Sequence, residues 1–307
     1  RGWVWAGGTL KRLRCPLPDI VYDRVASRRS ETSSHMITAK EKLLQIERLQ
    51  YYNRAFLNKW DVHTMLERYP NLKKHLPPTQ EMVNSKVLET YLKKYSVVFV
   101  KPAEGSLGAG ILRVARGSKG FAYRLTRLDH PDYYGRASTI AGMVRAAERL
   151  LKQDQYVVQR GLRLAHVNGG PFDIRVLLQK STRNHWTVQS MVARVAQPGN
   201  VVSNLADGGQ IINPRSAIAA VFGPSIKPSL MTLRIRRIAK AAALAIEKEI
   251  GFEFAEMGMD LAIDTSAKIW IIEANSRPGR QTNEPGQRRV PRSVVRLVRF
   301  LRSRGLQ

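Results

Sequence analysis

The segment GMDLAIDTSAKIWIIEANSRPG, residues 258–279, places the strongest constraint on the fold of this chain. Residues 259–264 and 268–275 have the aliphatic and aromatic content of two strands, and the few polar residues between them predict a tight connection. A two-residue turn at Ser266-Ala267 would make the two strands an antiparallel hairpin. Because Ser-Ala is not a favoured hairpin dipeptide, a longer loop with a bulge remains open.

This hairpin would bring together three side chains that carry oxygen atoms. Side chains alternate along a strand, so Glu273 and Asn275 share one face, and the two-residue turn would set Asp260 directly opposite Glu273. A register change of one residue would put Asp260 on the other face. Two carboxylates and an amide form the hard oxygen set that Mg²⁺ prefers, usually together with substrate phosphates. The alternative is an ordinary edge hairpin with solvated acids.

A glycine-rich loop lies far upstream of the hairpin. Lys101 ends the apolar run Val-Val-Phe-Val, and Gly105, Gly108 and Gly110 follow it before a second apolar run begins. Backbone N–H groups of such a loop can close around phosphate oxygens, and Lys101 would add a positive charge. The lysine precedes the glycines, so this is not a P-loop, and a strand rather than a helix follows, which excludes a dinucleotide fingerprint. The alternative is a hairpin loop without a ligand, but the two motifs together favour a nucleoside triphosphate with a divalent ion.

Composition bounds the class of protein. The 307 residues carry a formal net charge of +27, which predicts attraction to polyanions. Basic residues are scattered, aromatic residues make up only 7%, and no nucleic-acid-binding motif stands out, so sequence-specific nucleic-acid binding is not expected. No apolar run approaches the ~20 residues of a membrane span, and no secretory signal is visible. The single cysteine, Cys15, fits a reducing interior and is expected to be a buried thiol rather than a nucleophile.

Capping patterns predict several helices. Thr38 and Glu41 form a capping box that predicts a helix running to about residue 57. Asn58 is placed to cap a second helix over residues 59–69. The tail, residues 290–304, predicts a basic amphipathic helix. Docking of this tail on the domain is the favoured interpretation, and binding to a membrane surface is the alternative.

The order of these motifs resembles the ATP-grasp fold and, more narrowly, the YheC/YheD group of endospore coat-associated ATP-grasp proteins. The segments that carry the resemblance are PLPDIVYDR (16–24), NKWDVH (58–63), HLPPT (75–79), VKPAEGSLGAGI (100–111), FDIRVLLQ (172–179) and IIEANSRPGRQ (271–281). The resemblance implies an α/β (α+β) protein whose two lobes clasp a nucleotide, with a short N-terminal lobe. It divides the chain into residues 1–80, an N-terminal lobe; 81–160, a small lobe with the glycine-rich loop; and 161–307, a large lobe with the metal site and a C-terminal helix.

The same resemblance implies roles for individual residues. The nucleotide-binding set is Lys59, Lys101, Glu104, Gly105, Ser106, Gly108, Gln159, Arg160, Leu162 and Asn204. The metal ligands are Asp260, Glu273 and Asn275, and the residues that would hold the transferred phosphoryl group or the substrate are Arg175, Arg194 and Arg277.

Some assignments have structural alternatives. Lys59 could be a solvated helix residue, His63 a packed histidine rather than a base, and Asn204 part of a turn. Asp173 and Arg175 share a strand face and could form a structural ion pair. The hinge around residue 159 also lacks the acidic residue that usually holds the ribose of the nucleotide.

The expected activity is that of an ATP-dependent carboxylate–amine ligase, which forms an amide through an acylphosphate. ATP with Mg²⁺, or Mn²⁺ in its place, would be the cofactors. The net charge of +27 suggests an acidic polypeptide among the substrates. The resemblance implies spore-coat proteins as partners and a cytoplasmic location with association with the endospore coat. The alternative function is that of a non-catalytic, spore-coat-associated structural protein that retains the nucleotide fold.

Overall fold

The computed structural model describes residues 2–105, 108–127, 130–151, 155–197, 209–279 and 292–305. It has an α+β architecture, in which two larger sheets face each other across a cavity. Two small sheets and their helices lie in the N-terminal part of the chain. This agrees with the expectation of two α+β lobes.

The N-terminal part contains an exposed hairpin, β1 (Gly2–Ala6) with β2 (Thr9–Leu13), and a parallel pair of short strands, β3 (Ile20–Tyr22) with β4 (Gln50–Tyr52). Helices α1 (Arg28–Glu31) and α2 (Ser34–Leu44) connect the parallel strands.

The predicted helix from Thr38 to about residue 57 is wrong at both ends. Helix α2 already begins at Ser34, four residues earlier, and it ends at Leu44. Residues 50–52 form β4 instead, because their backbone pairs with β3. Tertiary pairing therefore overrides the helical pattern in this segment.

The smaller of the two facing lobes is a sheet with strand order β5-β10-β6-β7-β8-β9. Its strands are β5 (Thr79–Glu81), β6 (Val97–Pro102), β7 (Leu112–Gly117), β8 (Gly120–Leu125), β9 (Tyr133–Ala137) and β10 (Tyr156–Arg160). Helices α5 (Ser85–Lys94) and α6 (Ile140–Leu150) pack on one face of the sheet, against buried residues such as Val98 and Val100. Since side chains alternate along β6, Phe99 and Lys101 point to the opposite face.

The larger lobe is a sheet with strand order β14-β13-β12-β15-β16, and β11 pairs with β12. Its strands are β11 (His166–Val167), β12 (Gly170–Lys180), β13 (Trp186–Val195), β14 (Gln210–Ile212), β15 (Glu256–Ile263) and β16 (Ile269–Asn275). Helices α3 (Lys59–Glu67), α4 (Pro70–Lys73), α7 (Pro214–Phe222) and α8 (Pro228–Ile250) contribute to its hydrophobic core. The residues that alternate with the core positions of β12, β13 and β15 are largely charged or polar and form the other face of the sheet.

The core of the large lobe also contains residues from the segment 57–76. Leu57, Val62, Leu66, Leu72 and Leu76 pack in the same cluster as the large sheet. The sequence-based division places this segment in the N-terminal lobe, whereas its hydrophobic contacts are with the large lobe.

The C-terminal helix α9 (Arg292–Gly305) is docked on the protein, as favoured from the sequence. Leu297 and Phe300 are buried with Tyr52 and Ala255, and the rings of Tyr52 and Phe300 meet edge to face at 5.4 Å. None of the helices in the described part of the chain has the length and apolar character that a membrane span requires.

Candidate nucleotide and metal site

A cavity of about 670 Å³ lies between the two larger sheets. Its small-lobe wall comes from β6, β7 and β10, and its large-lobe wall from β12, β15, β16 and α3. Lys101 and Glu273, which are 172 positions apart in the chain, both line it. The volume is in the range of small-molecule and cofactor sites. Of the predicted site residues, those that line the cavity are Lys59, Lys101, Gly105, Gly108, Gln159, Arg160, Leu162 and Glu273.

Lys101 reaches the cavity from the end of β6. Its ammonium group donates to Gln159 Oε1 at 2.6 Å and lies 5.3 Å from the ring centroid of Phe99. Gln159 in turn donates to Thr79 Oγ1 at 2.9 Å. Burial lowers the pKa of Lys101 to about 8, and nearby Lys59 acts in the same direction, while Glu273 opposes it. A lysine in this environment gains from a negatively charged ligand such as phosphate.

Lys59 enters the cavity from the N-terminus of α3, which Asn58 caps as predicted. The Asn58 side chain accepts from Trp60 N at 2.8 Å. Lys59 Nζ lies 3.4 Å from Glu273 Oε1 and donates to the backbone oxygen of Gly105. Lys59 therefore links the glycine-rich loop of one lobe to β16 of the other, and it is not the solvated helix residue of the alternative.

Part of the glycine-rich loop is described. Gly108 and Gly110 have φ angles of 76° and 70°, a region that glycine adopts readily and other residues rarely adopt. Gly105 and Gly108 line the cavity, whereas Glu104 is exposed and does not. Ser106 lies outside the described residues, as does Asn204.

The hinge after β10 requires a glycine. A Cβ on Gly161 would lie 2.5 Å from Val97 Cγ1 and 3.0 Å from the Val97 carbonyl oxygen, to which Gly161 N donates. This close approach positions Arg160 and Leu162 along the cavity. Apolar residues line the same region, among them Val97, Phe99, Val157 and Leu164. These surroundings suit an aromatic base.

The predicted pairing of Asp260 with Glu273 is confirmed, although the connection is not the two-residue turn. Asp264 and Lys268 face each other across a three-residue loop, and Ala267 in it has a φ of 64°. This longer loop alone would shift the register by one residue. A bulge between Leu261 and Asp260, where Ile272 is the extra residue of β16, restores the pairing.

The bulge also changes the direction of the side chains. Before it, Ile269 and Ile271 are in the hydrophobic core, and after it the core residue is Ala274. Glu273 and Asn275 therefore point to the polar face with Asp260. With strict alternation from Ile269 they would point into the core.

Asp260 is paired with two arginines. Arg175 Nη2 donates to Asp260 Oδ2 at 2.9 Å and Arg175 Nε to Oδ1, while Arg194 Nη2 lies 3.1 Å from Oδ2. Arg194 also holds Asp173 through two hydrogen bonds of 2.7 and 2.6 Å. The ion pair of Asp173 with Arg175, which the sequence left as an alternative, is therefore not formed. Asp173 pairs instead with Arg194 of β13, and Arg175 pairs with Asp260 of β15.

These charges shift the pKa values of the cluster. Burial would raise the pKa of Asp260, but Arg175 and Arg194 outweigh it and hold that pKa below its usual range. Burial would lower the pKa of Arg194, but Asp260 and Asp173 raise it. Asp260 is therefore anionic at neutral pH.

The donor set fits a hard divalent cation. Asp260 and Glu273 are directly paired, and Asn275 is paired with Gly258 on the same face. A Cβ on Gly258 would lie 2.9 Å from the Pro278 Cβ, so the glycine permits the close approach of the segment that follows β16. Two carboxylates and one amide match the ligands that Mg²⁺ takes beside substrate phosphates. Among the described histidine, cysteine and acidic side chains, no group of three or more is placed to hold a metal ion, so such an ion would depend on Asn275 and on phosphate oxygens.

Arg277, predicted to contact substrate, does not line the cavity. Its side chain is 3% exposed and pairs with Asp23 at 2.9 Å and Glu31 at 2.7 Å, both from the N-terminal part. Lys40 binds the same two carboxylates at 2.9 and 2.8 Å. Arg277 thus ties the C-terminal end of β16 to the N-terminal part of the chain.

Several cavity residues were not predicted. Arg113 and Arg163 line the cavity, and His63 does so while stacking on Trp60 at 5.6 Å. The pairing of β6 with β7 explains the position of Arg113. It lies opposite Phe99, which places both side chains on the cavity face.

Arg28 of α1 was also missed. It donates to the backbone oxygen of Leu57, next to the cap of α3. Burial lowers the pKa of Arg28, while Glu104 of the glycine-rich loop and Glu273 of β16 act in the opposite direction, so Arg28 lies within electrostatic reach of both. No motif surrounds Arg28 in the sequence, because only the tertiary structure brings it near these segments.

Two curated proteins of Bacillus subtilis (strain 168) are similar to the chain. The endospore coat-associated protein YheD is 29% identical over 269 residues, which cover 86% of this chain and 58% of YheD. The endospore coat-associated protein YheC is 22% identical over 279 residues, which cover 90% of this chain and 75% of YheC. The chain thus spans little more than half the length of YheD. The family described as YheC/D-like ATP-grasp matches residues 48–303, and the chain belongs to this family.

Proposed function

We propose that the protein is an ATP-dependent carboxylate–amine ligase. The observation that carries the proposal is one shared cavity, which Lys101 and Gly105 line from the small lobe and Lys59 and Glu273 line from the large lobe. The membership in the ATP-grasp family indicates ATP-dependent, ligase-type chemistry. The carboxylate and amine substrates and the amide bond go beyond what this membership indicates.

In the proposed reaction, a substrate carboxylate attacks the γ-phosphate of ATP, which gives an acylphosphate and ADP. An amine then attacks the acyl carbon, and phosphate leaves as the amide forms. Such a reaction depends on positioning and on neutralising charge, because the protein supplies little covalent chemistry to a phosphoryl transfer.

The residues of the cavity and their neighbours on β15 and β16 divide this work. Lys101 and Lys59 would bind the phosphates, and the apolar hinge near Leu162 would receive the adenine. Asp260, Glu273 and Asn275 would hold Mg²⁺, which neutralises charge on the phosphates when bound. Closure of the glycine-rich loop would exclude water, which otherwise hydrolyses an acylphosphate.

The basic surface supports an acidic polypeptide as one substrate. A net charge of +27 attracts polyanions at low ionic strength, and this attraction is screened as salt is added. We therefore expect the KM for an acidic peptide to rise with ionic strength. Screening of surface charges increases strongly between about 20 mM and about 300 mM salt. A KM that is the same at these two concentrations would exclude electrostatic recruitment.

The test is ADP release from ATP and Mg²⁺ with poly-L-glutamate and an amino-acid mixture, followed by mass spectrometry of the polymer. We expect ADP release to require both the metal and the carboxylate. The variant Glu273→Gln/Asn275→Ala should lose it, and Glu89→Gln, on the outer surface of α5, should retain it. Unchanged turnover in the double variant would exclude this site.

A second candidate is a non-catalytic coat-associated protein that binds a nucleotide. YheD and YheC are both named as endospore coat-associated proteins, which supports this candidate. Such a protein would bind a fluorescent ATP analogue at the same cavity but would release no ADP in response to any carboxylate.

A further inference from the structure

Two arginines compete for the carboxylate of one proposed metal ligand, Asp260. Both of its oxygens accept guanidinium N–H groups, and Oδ2 is shared by Arg175 and Arg194. A divalent cation that binds Asp260 directly approaches its oxygen to about 2.1 Å. It would lie close to both guanidinium groups, which carry charge of the same sign. At least one arginine must therefore withdraw from Asp260.

The two arginines are not equivalent in their other contacts. Arg194 has a second anchor, because Asp173 accepts from it at 2.7 and 2.6 Å in a fork-to-fork pair. Arg175 has both of its hydrogen bonds on Asp260, and within the described part of the chain it has no other hydrogen-bond or ion-pair partner. Arg175 contacts both oxygens of Asp260, so a cation bound at either oxygen must displace it, whereas Arg194 touches only Oδ2 and keeps both of its hydrogen bonds to Asp173.

The strand register adds to this difference. Arg175 on β12, Asp260 on β15 and Glu273 on β16 are paired in one row across three strands. Arg194 is paired with Asp173, which lies two residues from Arg175 on β12. Arg175 thus lies beside the proposed metal ligands Asp260 and Glu273, and Arg194 lies beside Asp173.

From this geometry we propose that Asp173 is a positioning residue that keeps Arg194 from competing for Asp260, so that Arg175 is the cation displaced when a divalent ion binds. Arg175 is then the arginine that becomes available to an anionic group, such as the transferred phosphoryl group, while Arg194 stays fixed on Asp173. This inference rests on the proposed function, because it assumes that Asp260 binds the metal.

The test is a titration of Mn²⁺ against the full-length protein in saturating ADP, followed by electron paramagnetic resonance of free Mn²⁺. Arg175→Gln removes the competing cation and should lower the Mn²⁺ Kd by about tenfold, and Asp173→Asn should raise it by about tenfold, the lower end of the usual effect of changing a residue behind a metal ligand. Arg194→Gln should change the Kd less than Arg175→Gln does, and Asp173→Asn/Arg194→Gln should return it close to the wild-type value.

A matched control is available in the small lobe. Arg124 and Asp132 form an ion pair with exposures of 20% and 18%, close to those of the Arg194–Asp173 pair. Asp132→Asn should leave the Mn²⁺ Kd unchanged. A general loss of stability would move both variants alike.

Two results would overturn the inference. One is an equal tightening by Arg175→Gln and Arg194→Gln, which would mean that only net charge matters. The other is an unchanged Kd in Asp173→Asn. If Glu273→Gln weakens Mn²⁺ binding in the same titration, either of these two results overturns the inference about Asp173 but leaves the proposed metal site standing. If neither the wild type nor Glu273→Gln binds Mn²⁺ with ADP, the proposed function fails with it.

Discussion

Replacement of Lys101 by methionine is expected to stabilise the protein while weakening nucleotide binding. The pKa of Lys101 is lowered from 10.5 to about 8 by burial. A shift of this size corresponds to about 3 kcal/mol against the charged form in the folded state. The variant also loses the hydrogen bond to Gln159, about 1 kcal/mol. Because Lys101 is partly exposed to the cavity, we expect a net gain of about 1–2 kcal/mol in the free energy of unfolding at pH 7.

The pH dependence gives this expectation a definite sign. Below pH 8 Lys101 is charged in both states, so the wild type bears the full penalty of burying the charge. Between pH 8 and pH 10.5 the folded protein releases this proton while the unfolded chain keeps it, so the wild type gains stability as the pH rises. The advantage of Lys101→Met should therefore shrink across that window.

Urea unfolding of the two proteins at intervals from pH 7 to pH 10 measures the effect. Lys93→Met, at an exposed lysine of α5, is the control and should show no such trend. A Lys101→Met variant that is less stable than the wild type at pH 7, by an amount that does not change up to pH 10, would refute the reasoning.

Three further predictions concern stability and the hinge. Ala267→Gly should stabilise the protein by about 0.5–1 kcal/mol in urea unfolding, because the residue at φ 64° is strained unless it is glycine, and a lower midpoint would contradict this. Gly161→Ala should weaken binding of a fluorescent ATP analogue about tenfold or more, because its Cβ would lie 2.5 Å from Val97 Cγ1 and the hinge would have to shift. Val97→Ala should restore part of the binding, since it removes the nearest atom. Arg277→Met should destabilise the protein by about 3–5 kcal/mol, because it leaves the buried carboxylate of Asp23 with one cation fewer, and a Tm equal to the wild type would show that Lys40 compensates alone.

Much of the candidate site could be predicted because its signals are local. A cap is a contact between near neighbours in sequence, so Asn58 identified the start of α3. The hairpin carries its ligands on two adjacent strands, so the spacing of Asp260 and Glu273 was sufficient to predict their pairing. The prediction reached that pairing although the loop is one residue longer, because the bulge at Ile272 offsets the longer loop.

The partners of the charged residues could not be predicted in the same way. Alternation places Arg175 on a face, but it does not say which carboxylate of the two neighbouring strands the side chain reaches. Arg277 follows soon after β16, so its position in the sequence suggested a contact with substrate. Its actual partners, Asp23 and Glu31, come from the opposite end of the chain.

The sequence by itself therefore determined the order of the motifs, the chemistry of the ligands and the pairing of the hairpin, because each depends on residues close to one another along the chain. The tertiary structure alone decided that Lys101 loses its hydration and that Arg175 and Arg194 share Asp260. Desolvation and ion pairing here depend on distances between segments that are more than 40 residues apart, and neither composition nor periodicity contains those distances.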